Sequence, residues 1–175
     1  ITYGNRLAAD FFPVGGASRS DLVRCAALTS LHDETPEGKS TLELARRMGD
    51  QSTETEGSSF IEFTAQTRMS GVDLPDGMKI RKGAADAIEQ YVKELGGQIP
   101  ADLHEQVEKI SSLGGTPLAV CENNRILGVI YLKDTVKPGM VERFERLRAI
   151  GIKTIMCTGD NPLTAATIAK EAGVD

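Results

Sequence analysis

The sequence predicts an α+β fold: an antiparallel sheet flanked by helices, then an α/β segment that forms one unit of an incomplete doubly wound domain. Three observations predict it. Residues 60–82 read as short strands around a Pro75-Asp76-Gly77 turn, and residues 117–132 hold two apolar runs either side of Glu122-Asn123-Asn124-Arg125. Beyond Asp134, strand and helix alternate.

Each element has a local cause. After a short β-like start, Ser18 and Ser20 open a helix to about residue 32, with Leu22, Val23, Ala26, Ala27 and Leu31 on its inner side. Residues 33–38 break it, and a second helix is expected over 40–48 on a stripe of Leu44, Ala45 and Met48. Residues 50–59 are polar and read as an exposed loop. Strands follow at 60–65, 68–74 and 78–82 as a β-meander. The helix over 84–95 gathers Ala84, Ala87, Ile88, Tyr91 and Leu95 on one side and stops at Gly96-Gly97. Another, over 101–113, buries Leu103, Val107 and Ile110 ahead of Gly114 and Gly115. Strands at 117–121 and 126–132 pair across an Asn-Asn turn that tolerates positive φ. A charged loop over 132–139 opens a helix at 140–150. A buried-type strand at 153–157 then runs into a small polar loop and a helix, with Asn161 as N-cap and Pro162 at its first position. One such unit cannot cover its own apolar faces, so Ile152, Ile155 and Ile168 are expected to pack on elements mostly absent from these residues.

At 175 residues, 40% hydrophobic and 26% charged, the chain suits one full domain plus part of another. A net charge of −5 argues against DNA or RNA as a partner, which would call for a basic face. A small nucleotide remains open, because 20 Lys and Arg can supply a local cluster of donors. Cys25, Cys121 and Cys157 are odd in number and widely spaced, and His32 and His104 complete no metal-ligand pattern. They read as free thiols of a reducing compartment, with no metal site. Neither an 18-residue apolar run nor a secretory leader is present, so these residues are expected to be soluble, on the cytoplasmic side, without membrane contact of their own.

Four segments carry candidate chemistry. In Thr158-Gly159-Asp160, glycine lets backbone approach a ligand, the following helix offers free N–H donors to an anion, and Asp160 can hold Mg²⁺ or orient a phosphoryl group. An ordinary strand-to-helix turn is the plain alternative. In Phe63, Thr64, Ala65, Gln66, Thr67, Arg68, Met69 and Ser70, a flat ring on a strand beside polar groups suits adenine, unless Phe63 belongs to the core with Ile61. Lys82 ends a strand at Gly83, ahead of Asp86 in a helix's first turn, where it can reach a phosphate or a base edge or simply be solvated. Asp33 to Ser40 ends in Gly-Lys-Ser but has Asp33 where a phosphate-binding loop needs glycine, so that motif is rejected. Asp33 or Glu37 would instead accept hydrogen bonds from an adenine amino group or ribose hydroxyls, or cap the next helix.

The Leu132-Lys133-Asp134 loop and the Thr158-Gly159-Asp160 loop together resemble those of the P-type ATPases, which flank an aspartate phosphorylated by ATP. ITYGNR, DETPEGKS, FTAQTRMSG, RKGAADAI, LGVIYLKD and MCTGDN resemble the potassium-transporting Kdp-type pumps in particular, along the whole chain. The His-Pro pair that distinguishes heavy-metal pumps is missing. The resemblance implies a nucleotide-binding domain over 5–133, with residues 1–4 and 134–175 as parts of a phosphorylation domain. Phe63 would stack on adenine, the stretch through Ser70 with Asp33, Glu37, Lys82 and Gly83 would line the pocket, and Asp86 would steady Lys82. Thr158, Gly159 and Asp160 would position the transferred phosphoryl group. ATP and Mg²⁺ are the implied cofactors, and the rest of the pump chain and the other Kdp subunits the implied partners, in a bacterial or archaeal plasma membrane. The phosphorylated aspartate would precede Ile1, so these residues alone would bind adenine nucleotide without turning it over. Two rivals stand beside this: a cap and partial core of a soluble haloacid-dehalogenase-type phosphatase, and a regulatory nucleotide-binding module.

Overall fold

The computed structural model describes residues 1–159 and 161–175. Six antiparallel strands form one sheet in the order β1-β6-β5-β4-β3-β2: β1 Leu7–Pro13, β2 Ser59–Ile61, β3 Met69–Asp73, β4 Lys79–Ala84, β5 Gly115–Glu122 and β6 Arg125–Lys133. The order follows from local hairpins. Leu74 N–H donates to Met78 O at 2.8 Å and Gly77 takes φ +90°, which turns β3 into β4. Asn123 adopts φ +51° between β5 and β6, and its side chain accepts from Lys79 N–H at 2.9 Å, tying that turn to β4. β1 closes the far edge, with Leu7 opposite Lys133.

Both faces of the sheet are covered. Helices α1 (Arg19–Ser30) and α2 (Pro36–Arg47) bury Leu22, Ala26, Leu44 and Ala45 against Phe11, Val72, Ile80, Val120 and Ile130. Helices α3 (Ala85–Glu94) and α4 (Leu103–Ser112) bury Ile88, Val92, Leu103 and Ile110 against Ala119, Cys121 and Val129 on the other face. Alternation along a strand sends neighbours to opposite layers, which is why Val120 joins one core and Cys121 the other.

Helix α2 begins four residues earlier than expected, because Thr35 caps it by accepting from Gly38 N–H at 3.1 Å and Pro36 sits at its start. Strand β2 stops at Ile61 rather than 65, since residues 64–68 fold back with Arg68 N–H on Thr64 O at 2.8 Å. Phe63 therefore lies in a loop, not on a strand.

In the C-terminal segment, α5 (Met140–Ala149) and α6 (Pro162–Ala172) form as expected, but the 153–157 strand does not. A strand needs a hydrogen-bonded neighbour, and among the described residues none pairs with it. Ile155 stands 86% exposed. Ile168, expected to lack a partner, is instead 5% exposed, because α6 docks beside α4 through Thr167 Oγ1 on Ser112 O and Thr164 Oγ1 on Gly115 O. At the other end Thr2 bridges to Val136, and Lys137 N–H donates to Ile1 O at 2.9 Å, so the first residues run alongside the start of the C-terminal segment.

Candidate functional site

Lys82 is the centre of the candidate site. It faces α1 from β4 and is 4% exposed, so an unpartnered ammonium there would be strongly disfavoured. Its Nζ donates to Asp33 Oδ2 at 2.7 Å and to Ser30 Oγ at 2.8 Å. Asp33 is held from its other side, where Oδ1 accepts from Thr35 N–H at 3.0 Å and from Thr35 Oγ1 at 2.6 Å. Gly38 makes room for it: a Cβ there would lie 2.1 Å from the Asp33 Cγ. Burial works to raise the Asp33 pKa, but the Lys82 charge and the hydrogen bonds from Lys82 and Thr35 outweigh it and hold the carboxyl below its usual range. Burial lowers the Lys82 pKa, opposed by Asp33 and by the charge of half-buried Glu37 in the first turn of α2. The solvated strand-end lysine is thus replaced by a buried, hydrogen-bonded ion pair.

The β3–β4 ladder joins this pair to the aromatic loop. Ser70 lies opposite Lys82 and Met69 opposite Gly83, and a Cβ on Gly83 would meet the Arg68 carbonyl at 2.3 Å. Phe63 is 62% exposed, clear of the core. Thr64, Ala65, Gln66 and Thr67 are exposed beside it, with Thr67 N–H donating to Thr64 Oγ1 at 3.1 Å, while Met69 and Ser70 are half-buried. Asp86 does not steady Lys82. It accepts from the Arg68 guanidinium, because α3 packs on the opposite sheet face from the one Lys82 enters. That hydrogen bond and charge lower the Asp86 pKa.

The contacts of Ser30 and of His32 are among those that escaped the sequence. Ser30 on Lys82 joins residues 52 apart, and no local pattern announces it. His32 packs on Phe60 with ring centroids 3.9 Å apart and contacts Glu54 at 2.9 Å, closing the 50–58 loop over the end of α1. Its position between an apolar helix and a Glu-rich loop was the only available signal.

Thr158 and Gly159 are exposed ahead of α6, whose N-cap Asn161 accepts from Leu163 N–H at 2.8 Å. Asp160 lies outside the described residues. Among the described residues no three His, Cys, Asp or Glu side chains gather as a metal site, and no helix is long and apolar enough to cross a membrane. Two surface depressions, of about 520 Å³ beside Arg24 and Met48 and about 590 Å³ beside Gly97 and Asn124, are not lined by Phe63 or Lys82. The candidate site is an open platform with a buried charge beside it.

A family model described as haloacid dehalogenase-like hydrolase matches residues 1–175. The "Potassium-transporting ATPase ATP-binding subunit" of Clostridium acetobutylicum is 65% identical over 177 residues, and that of Caldanaerobacter subterraneus 61%. In both, all of this chain is covered and 26% of the relative, so the chain spans about a quarter of their length. Among solved structures, a zinc-transporting PIB-type ATPase aligns over 99% of this chain and 26% of its own, with TM-score 0.66 and 25% identity. The N-domain of HMA6, a copper-transporting P-type ATPase, is covered completely by 74% of this chain, with TM-score 0.55 and 14% identity. The fold is therefore that of P-type ATPase catalytic domains. The chain belongs to the haloacid dehalogenase-like hydrolases, and within them its kinship is with the ATP-binding subunits of potassium-transporting ATPases.

Proposed function

We propose that residues 5–133 bind ATP as the nucleotide-binding domain of an ATP-driven potassium pump, and that residues 1–4 and 134–175 belong to its phosphorylation domain. The observation that carries this is an aromatic ring left 62% exposed in the loop leading into β3, the strand that pairs with β4 and its buried Lys82–Asp33 pair. The fit to an adenine nucleotide is chemical. Phe63 offers a bare π-face, Ser70 and the 64–68 backbone offer polar edges, and Lys82 brings a cation whose charge is shared with Asp33. Full coverage of a pump N-domain by 74% of the chain supports the domain boundaries. Identity of 65% along the whole chain favours a pump over a soluble phosphatase, although both fall within the matched family.

In this reading Phe63 stacks on adenine, and Lys82 and Glu37 face the base or its ribose. Asp33, with both oxygens engaged, anchors Lys82 and leaves less capacity for the ligand. Thr158, Gly159 and Asp160 would orient the phosphoryl group from the other domain. Bound ATP with Mg²⁺ would supply the γ-phosphoryl group for an aspartate that these residues do not include. Catalysis would rest on positioning and charge neutralisation. The parent pump would sit in a plasma membrane with its other subunits, this domain on the cytoplasmic side.

Titrating ATP into the ¹⁵N-labelled chain tests the reading. Amide shifts should centre on residues 63–70 and on Lys82, and should survive chelation of Mg²⁺ because the platform grips the base. Shifts scattered elsewhere, or none, would defeat it.

A further inference from the structure

The Lys82 ammonium is held by a hydroxyl with a defined polarity. Ser30, the last residue of α1, is 1% exposed; it donates its own proton to Ala26 O at 2.7 Å and accepts from Lys82 Nζ at 2.8 Å. A serine hydroxyl has one proton to give. With that proton committed to Ala26, the oxygen meets Lys82 as an acceptor only. Asp33 takes a second N–H at 2.7 Å. The third donates to no described residue.

We propose that Ser30 is a positioning residue of the nucleotide site, fixing the rotation of the Lys82 ammonium so that its remaining N–H is presented to an acceptor on the nucleotide. The acceptor would be a phosphate oxygen or a ring nitrogen, and the proposal rests on the nucleotide-binding reading above. Its logic is geometric. During a turn of the ammonium between its equivalent positions, Asp33 alone would oppose the motion with one hydrogen bond, whereas with Ser30 in place two must break at once. Ser30 is itself rigid, because its proton is tied to the helix turn before it. The free donor is thereby aimed before the ligand arrives, which removes an ordering cost from binding.

Calorimetric titration of ATP into the unaltered chain, Ser30→Ala, Lys82→Met and the double variant tests this, with thermal melts alongside. Ser30→Ala should weaken ATP by about 3- to 10-fold, the range of one hydrogen bond. In the Lys82→Met background the same change should cost less than twofold, since no amine remains to be aimed. Equal losses in both backgrounds would mark Ser30 as merely structural and overturn the proposal, as would unchanged affinity in Ser30→Ala. An unaltered chain that bound no ATP would overturn the nucleotide reading together with it. Should a variant fail to fold or bind too weakly to titrate, ¹⁵N relaxation of the Lys82 ammonium in the unaltered chain decides. Hindered rotation is expected, and the free rotation of a surface lysine would sink the idea.

Discussion

A phenyl ring that folding leaves 62% exposed contributes little to stability, so its worth has to be measured through a ligand. Phe63→Ala should shift the melting temperature by no more than a degree or two and weaken ATP by roughly 1–3 kcal/mol, the range for a base on an aromatic ring. Calorimetry and a thermal melt on one sample separate the two effects, and a large stability loss with unchanged affinity would return Phe63 to packing. Residue types were legible here, but pairings were not. The resemblance implied that Asp86 steadies Lys82; strand alternation sends Lys82 towards α1 while α3 carries Asp86 on the other side, where Arg68 meets it. Partners across a sheet depend on face, and a Gly-Ala junction between strand and helix hides which face is which.

At the scale of elements, the start of α2 is where local chemistry and tertiary packing disagree. Alanine is a better helix former than glycine by about 1 kcal/mol, so propensity alone favours Gly38→Ala. A Cβ there would lie 2.1 Å from Asp33 Cγ, and overpacking of that kind costs about 1–3 kcal/mol. The substitution should therefore destabilise the chain in urea and loosen the Asp33–Lys82 pair, whereas a more stable variant would show that the carboxylate moves aside freely. Most elements were readable because their boundaries carry chemistry: Ser18 accepts from Asp21 N–H at the head of α1, and Asn161 caps α6 ahead of Pro162. The 153–157 segment was misread for a physical reason. Its apolar run is a strand only when another strand lies beside it, and composition cannot reveal whether one does.

Over the whole molecule, two buried thiols set the alkaline limit. Burial pushes Cys25 and Cys121 up to about 12 from 9.0. Between those values the unfolded chain holds fewer protons than the folded one, so stability falls as pH rises through that window. Lys82 works the opposite way, because burial sets its pKa below 10.5 and the folded state sheds that proton first, but one amine stands against two thiols. Urea unfolding should lose about 2 kcal/mol per thiol between pH 8.5 and pH 11, and replacing both with alanine should flatten the slope. A slope unchanged in that variant would assign the limit to other groups. On the acid side, Asp33 supports the fold above about 3.8 and withdraws that support as pH drops through its lowered value.

The pairing of Leu7 with Lys133 has one more consequence. The sheet begins and ends at neighbouring points, about 5 Å apart for residues opposite one another in an antiparallel ladder. A module whose doorway and exit share a threshold can be spliced into a host backbone, or lifted out of one, while the host closes over a gap of a single residue's width. Were the module proposed above to tilt, two adjoining tethers would have to flex in step, and the ledge carrying Phe63 would move with the sheet.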